Sequence, residues 1–282
     1  VLLRTPAGAR PDRIRSVLEW LVARHDVFRL RFLLVDGKWT QEYGSNEVSL
    51  PFDILDMKGL GGEQVKEQAA AIEQELLTGF DLENGPLVRT FFYDRGTDEK
   101  GILCLALHHL AVDALSIVTL VSEFNQCWGS LDRAQGFPAL KLPEPRFGLW
   151  ARQLHAKAQS KEVEAEADYW LNLGSGAEIS WPWSGIVSSE NRKKEHDHEP
   201  TIEGQVQGEQ ANRLLKRWGT AEELHDLFLA ALAFGWSEAT GKDCCYVELE
   251  HHGRGRVEGA AKPQRTVGWM VRHFPHLVRV KQ

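Results

Sequence analysis

The apolar and polar positions divide the chain into alternating strand-like and helix-like stretches. Ile14, Val17, Leu18, Leu21 and Val22 recur at helical spacing after Pro11–Asp12, and predict one helix with a single buried face. Phe28, Leu30 and Phe32 alternate with Arg29 and Arg31, and Asp36–Gly37 marks a tight turn. Residues 27–34 and 38–43 therefore read as a hairpin. Residues 44–61 read as loop around a short apolar run, 50–55. Val65, Ala69, Ile72 and Leu76 predict a helix over 63–77, and 87–93 reads as a strand. Residues 102–107 form a continuous apolar run of strand length, and Leu115, Val118, Val121 and Phe124 then follow at helical period. Two helices are expected over 147–156 and 161–173.

The pattern changes at 174–200, which holds Trp181-Pro182-Trp183 and a polar run. This divides the chain into an N-terminal lobe (1–173), a linker (174–200) and a C-terminal lobe (201–282). His196-Asp197-His198 reads as solvated linker rather than a metal site. In the second lobe we expect a strand at 201–206, helices at 209–218 and 221–240, and strands at 244–250 and 277–280. Thr220 with Glu223 has the spacing of a capping box. The opening residues 1–6 are apolar but leave no room for a strand with a partner before the first helix, so both chain ends read as cut.

Composition narrows the function classes. A net charge of -7, from 33 basic and 40 acidic residues, argues against nucleic acid or an anionic membrane surface as partner. No apolar run is long enough to span a bilayer. Cys104, Cys127, Cys244 and Cys245 form no C-x-x-C pair and read as reduced core residues of a cytoplasmic protein, with no metal site.

Two polar clusters carry candidate chemistry. His108, His109 and Asp113 lie where a buried strand turns into a helix. Imidazoles and a carboxylate at such a corner suit proton transfer, although Asp113 with Ser116 also fits a plain helix cap. The second cluster is Glu248, Glu250, His251 and His252 at the end of a strand, with Arg254 just beyond. Alternation places Glu248 and Glu250 on one face. A carboxylate on one lobe opposing an imidazole on the other would suit removing a proton from one face of a carbon and returning it to the other. Solvated charges at a strand end are the alternative.

Residues 108–113, HHLAVD, resemble the His-His-x-x-x-Asp-Gly signature of the condensation-type domains of nonribosomal peptide synthetases. Residues 24–32 resemble that family's R-H-E-x-L-R-T-x-F segment. Phe80-Asp81-Leu82 with Gly85-Pro86-Leu87 resembles F-D-L…G-P-L, and 147–156 with Tyr169-Trp170 resembles W-A…Y-W. Residues 249–254 are similar to the E-G-H-G-R motif, and 265–270 with Phe274-Pro275 to the R-T-V-G-W…Y-P motif, of the epimerization branch. Residues 226–232 are similar to its D-x-L-L-x-A-L helix.

The resemblance implies an α/β fold like chloramphenicol acetyltransferase, two lobes in a V with a tunnel between them. It implies inversion at the Cα of an aminoacyl or peptidyl thioester. The substrate would be presented on the 4'-phosphopantetheine of a peptidyl carrier protein domain, among neighbouring synthetase domains. The domain itself would hold no cofactor. His109 and Glu250 would be catalytic, with His108, Asp113, Ser116, Arg254 and Trp269 supporting. Asp113 would hold the corner through an arginine such as Arg279 or Arg29. A condensation domain, or an inactive relative that docks partners, are the alternatives. Ala114, Ile117, His251 and Gly255 depart from the family pattern, and the chain is expected to lack the family's opening strand and most of the second half of its C-terminal lobe.

Overall fold

The computed structural model describes residues 1–45, 50–139, 146–173, 203–255 and 262–280. The expected linker, with its His196-Asp197-His198 cluster, lies outside the described residues. In chain order the elements are β1 (Leu2–Ala7), α1 (Pro11–Arg24), a 3-10 turn (Asp26–Arg29), β2 (Leu30–Val35), β3 (Lys38–Tyr43) and β4 (Phe52–Asp56). They continue with α2 (Gly62–Thr78), β5 (Val88–Asp94), β6 (Lys100–Leu107) and α3 (Ala114–Asp132). Next come α4 (Phe147–Ala158), α5 (Lys161–Glu164), α6 (Ala167–Leu171), α7 (Gly208–Arg217) and α8 (Ala221–Thr240), then β7 (Cys244–His251) and β8 (Arg272–Arg279).

Contacts group these elements into two compact units. One comprises Val1–Glu164 with His251–Arg272, the other Ala165–Glu250 with His273–Gln282. The expected boundaries at 173 and 201 both lie inside the second unit.

The first unit is built on a four-stranded sheet of order β1-β6-β5-β4. Alternation along β5 and β6 explains its two covered faces. Val88 and Phe92, with Leu103 and Leu105, join Ile14, Val17, Leu18 and Leu21 of α1 and Leu120, Phe124 and Cys127 of α3 in one core. The intervening Phe91, Tyr93 and Cys104 face the other way and bury Met57, packing against Val65, Ala69 and Ile72 of α2. A sheet apolar on both faces needs helices on both faces, and the sequence supplies them.

Three expectations change in this unit. The opening residues do form a strand: β1 pairs antiparallel with β6, Leu3 opposite Leu103. The partner comes from a hundred residues downstream, which local pattern does not reveal. The run at 50–55 is not loop but β4, parallel to β5 with Ile54 opposite Phe92. The hairpin begins later than expected, because Asp26–Arg29 closes as a 3-10 turn before β2. Its turn is as read: Asp36 and Gly37 both have positive φ, of 51° and 75°, and β2 pairs with β3 in register from Leu30–Tyr43 to Val35–Lys38.

The second unit contains α6 to α8 and the β7-β8 ribbon. Thr220 caps α8 with Glu223 in the expected reciprocal box, and Gly241 ends it in the left-handed region. Residues 203–206 form no strand, leaving Val206 exposed. The expected helix at 161–173 is broken into α5 and α6, and β8 starts at Arg272, five residues earlier than 277.

One backbone position ties the fold to the polar cluster described next. Gly253 has φ 65°, and a Cβ there would stand 1.6 Å from the carbonyl oxygen of Met270. Gly37 has φ 75° but nothing within 4 Å of the corresponding point. Gly37→Ala should therefore cost only the left-handed penalty, about 1–2 kcal/mol. Gly253→Ala should cost clearly more, or abolish soluble expression, in urea denaturation of the two variants side by side.

Candidate active site

The β6–α3 corner is held from both sides. The N–H of His108 donates to Leu87 O at 3.0 Å, and the N–H groups of Ala111 and Val112 donate to the carbonyls of His108 and His109. Asp113 caps α3, accepting from Ser116 N at 2.8 Å. So far this is the plain cap that the spacing permits.

Asp113 does more than cap. Its side chain is 1% exposed and meets a bidentate guanidinium: Arg254 Nη1 donates to Oδ2 at 2.7 Å and Nη2 to Oδ1 at 2.9 Å. Met270 N donates to Oδ2 at 3.1 Å. Ser116 Oγ donates to Oδ1 at 2.7 Å and accepts from Gly268 N and Arg254 Nη2. The remaining arginine hydrogen bonds go to the carbonyls of His252, Thr266 and Gly268. Burial alone would raise the Asp113 carboxyl, but the hydrogen bonds from Arg254 and Ser116 outweigh it and hold it below the ordinary aspartate range. The guanidinium at the corner is thus Arg254, not the suggested Arg279 or Arg29. Asp113, Ser116 and Arg254 are brought together as one buried cluster.

A second buried carboxylate lies further along α3. Glu123, also 1% exposed, accepts at Oε2 from Arg24 Nε and pairs there with His25 Nε2, both at 2.9 Å. Its Oε1 accepts from Arg265 Nη2 at 2.9 Å. Burial pushes this carboxyl up, but the hydrogen bonds from His25 and Arg265 and the neighbouring charge bring it down to about 2. Sequence reasoning missed Glu123, because a glutamate within a helix ordinarily faces water. The available signal was its place among Leu120, Phe124 and Cys127 on the apolar face. Asp26 completes the Arg24-His25-Asp26 triplet, accepting from Tyr43 Oη at 2.8 Å and from Phe147 N at the start of α4.

The two histidines of the corner differ. His108 accepts at Nδ1 from Leu110 N at 3.2 Å, and its ring meets Phe80 edge-on at 5.3 Å. Desolvation, then the charge of His109, lowers its pKa. His109 is exposed, and its ring nitrogens make no hydrogen bond among the described residues. Its ring stands at 88° to Trp269, with centroids 5.7 Å apart.

Glu250 belongs to the second unit and is its last residue before His251. Glu248 and Glu250 are both exposed, whereas Val247 and Leu249 between them are half-buried, as alternation requires. Glu248 pairs with His273 at 3.1 Å, whereas Glu250 has no ion pair or hydrogen bond among the described residues. The His251 and His252 rings lie with centroids 4.2 Å apart and planes tilted by 34°, and their Nδ1 atoms accept from the N–H groups of Gly253 and Arg254. Desolvation first, then His252 and Arg272, lower the pKa of His251. Among the described residues no group of three His, Cys, Asp or Glu side chains is arranged to hold a metal ion, and no helix is long and apolar enough to cross a membrane.

Comparison with known proteins extends over the whole chain. A family model described as "Condensation domain" matches residues 1–282. A linear gramicidin synthase of Brevibacillus parabrevis is 27% identical over 285 residues, covering 100% of this chain, which spans only 5% of that protein's length. Tyrocidine synthase 1 of the same organism is 28% identical over 286 residues, and the chain spans 25% of its length. The crystal structure of the epimerization domain from the third module of tyrocidine synthetase B superposes with a TM-score of 0.85 at 24% identity, covering 100% of this chain and 63% of that one. The first condensation domain of the calcium-dependent antibiotic synthetase, solved with a substrate analogue, gives 0.68 at 17% identity, covering 99% and 62%. The fold is the chloramphenicol acetyltransferase-like α/β fold expected from the motifs.

The buried carboxylates lead to two predictions. Arg254→Met strands the Asp113 charge in the core and should cost about 3–5 kcal/mol of stability in urea denaturation, whereas exposed Arg272→Met should cost under about 1 kcal/mol. The second concerns acid. Asp113 and Glu123 have folded pKa values below their unfolded ones, so their stabilisation is present above about pH 4.5 and is lost as pH falls through the folded values, about 2 for Glu123. The urea midpoint should fall steeply between pH 4.5 and 2, and Glu123→Gln should flatten that slope while lowering the midpoint at pH 7.

Proposed function

The chain belongs to the condensation domain family, and from that membership we propose that it inverts the Cα of an aminoacyl or peptidyl thioester. The thioester would be carried on the 4'-phosphopantetheine of a peptidyl carrier protein domain within a cytoplasmic nonribosomal peptide synthetase. One observation carries the reading. Each polar cluster holds several ionisable groups, and each leaves one unengaged. At the corner, Asp113 is consumed by Arg254, Ser116 and Met270 N, and His108 by Leu110 N and Phe80. His109 alone stays exposed, with its ring nitrogens free among the described residues. On β7, Glu248 is taken by His273 and Glu250 is not. The unengaged pair, one imidazole and one carboxylate, is what two-sided proton transfer requires.

The chemistry follows from that pair. The thioester carbonyl acidifies the Cα proton. One group of the pair takes it, the C–H bond breaks, and an enolate forms. The other group donates a proton to the opposite face and a new C–H bond closes with inverted configuration. The pair then stands with its protons exchanged, and solvent resets it. Support also comes from the E-H-H-G-R and R-T-V-G-W residues, whose counterparts mark epimerization domains, and from the fold likeness to one such domain.

Amide formation between two carrier-bound substrates is the second reading, favoured by the fold likeness to a condensation domain. It would use His109 and have no need of Glu250. The test loads a carrier protein with an L-aminoacyl thioester in deuterated buffer and follows Cα deuterium uptake and chirality. Uptake with inversion is expected, and His109→Ala and Glu250→Gln should each lower its rate by about 100-fold or more. Acylation of a downstream acceptor with no uptake would sink the epimerization reading and support the second. Uptake surviving both substitutions would overturn the residue assignment.

A further inference from the structure

We infer that Trp269 is the positioning residue for His109, fixing the direction in which the imidazole presents its proton-carrying nitrogen. The inference rests on the reading of His109 as the proton carrier of the corner. It begins with the backbone on either side of Trp269. Arg265 is tied to Glu123 through Nη2, and the carbonyl of Thr266 accepts from Arg254. Gly268 N donates to Ser116 Oγ, and Met270 N donates to Asp113. Val267 and Met270 are buried in the core, at 1% and 8% exposure. Gly268 lies so close to the Phe147 ring that a Cβ there would stand 2.1 Å from Cδ2. Neither neighbour of Trp269 has room to move.

From this fixed base the indole points outward. Trp269 is 42% exposed, the one large apolar side chain of residues 265–270 left in contact with water. Its described aromatic contact is the His109 ring, edge to face. The backbone of His109 is equally constrained, between the β6 end and the buried Ala111, Val112 and Asp113. What remains free at His109 is rotation about its two side-chain bonds. No hydrogen bond among the described residues limits that rotation, as a carboxylate or carbonyl partner would for a catalytic histidine oriented through its second nitrogen. The T-shaped contact is the constraint present, and contacts of this kind bias a rotamer population by about two-fold to ten-fold.

Orienting the imidazole and binding substrate leave different kinetic signatures. A group that orients the imidazole acts on the chemical step, so Trp269→Leu should lower kcat for Cα exchange by about three- to ten-fold with KM within about two-fold. Trp269→Phe keeps an aromatic face and should recover most of the loss. In parallel, histidine ring resonances of 15N-labelled protein, assigned to His109 with His109→Ala, should show a ring-current displacement. Trp269→Leu should remove it. A rise in KM alone would overturn the inference, since it would mean that Trp269 holds substrate. So would an undisplaced His109 resonance in the wild-type protein, or unchanged kcat in Trp269→Leu. If wild-type protein catalyses no exchange, the epimerization reading fails on that result. The resonance measurement then decides the Trp269–His109 pairing by itself, and the kcat comparison is made on acylation of an acceptor.

Discussion

The buried pair of Asp113 and Arg254 is the interaction on which the first unit depends. Five hydrogen bonds converge on one carboxylate, and the two terminal nitrogens of the guanidinium also reach Ser116 Oγ and three backbone carbonyls, while its buried Nε has no partner among the described residues. The start of α3, the turn after β7 and the strap at 266–270 all meet there. Two charges removed from water at such cost are tolerable because so many hydrogen bonds meet them. The pair therefore specifies an arrangement more than it adds stability, since an uncharged core would fill the same space without fixing which segment lies against which. Glu123 repeats the device lower on the same helix, with Arg265 coming from the same returning segment. The segment His251–Arg272 is thus fastened to α3 at two points.

That fastening separates two kinds of polar residue within the motifs. Arg24, His25, Asp113, Ser116, Arg254 and Arg265 each commit at least one polar atom to these buried contacts. His109, Glu250 and Trp269 are presented outward. A motif such as R-T-V-G-W mixes both kinds within five residues: Arg265 an anchor, Thr266 and Gly268 backbone partners, Val267 core, Trp269 exposed. Each position carries a different physical demand, and Trp269 is the one large apolar side chain among them left exposed.

How much of this could be read in advance follows the range of each interaction. The face of α1, the turn at Asp36–Gly37, the Thr220 capping box and the Asp113 cap depend on residues within a few positions of one another, and all were legible. Strands β1 and β4 were missed because their partners, β6 and β5, are distant in the chain and neither run alternates clearly by itself. His109 and Asp113 stand out from their place at the strand-to-helix corner, and the resemblance supplies the roles expected of them and of Arg254. That Arg254 is the partner of Asp113 was not legible, since nothing local links positions 141 residues apart. Glu123 was hidden by its chemistry: an acid on an apolar face reads as an irregularity until its arginines are in view.

The sequence separation between the acids of α3 and their arginines has a consequence for biogenesis. Asp113 and Glu123 leave the ribosome 141 and 142 residues before Arg254 and Arg265. At 5–20 residues per second that interval is roughly 7–28 seconds. Throughout it Asp113 waits for its counter-ion, whereas Glu123 already has Arg24 and His25 upstream of it. The ion pair of the Asp113 carboxylate can therefore close only after Arg254 has been translated. Most of the second unit, Ala165–Glu250, is translated within that interval, whereas its β8 follows Arg265.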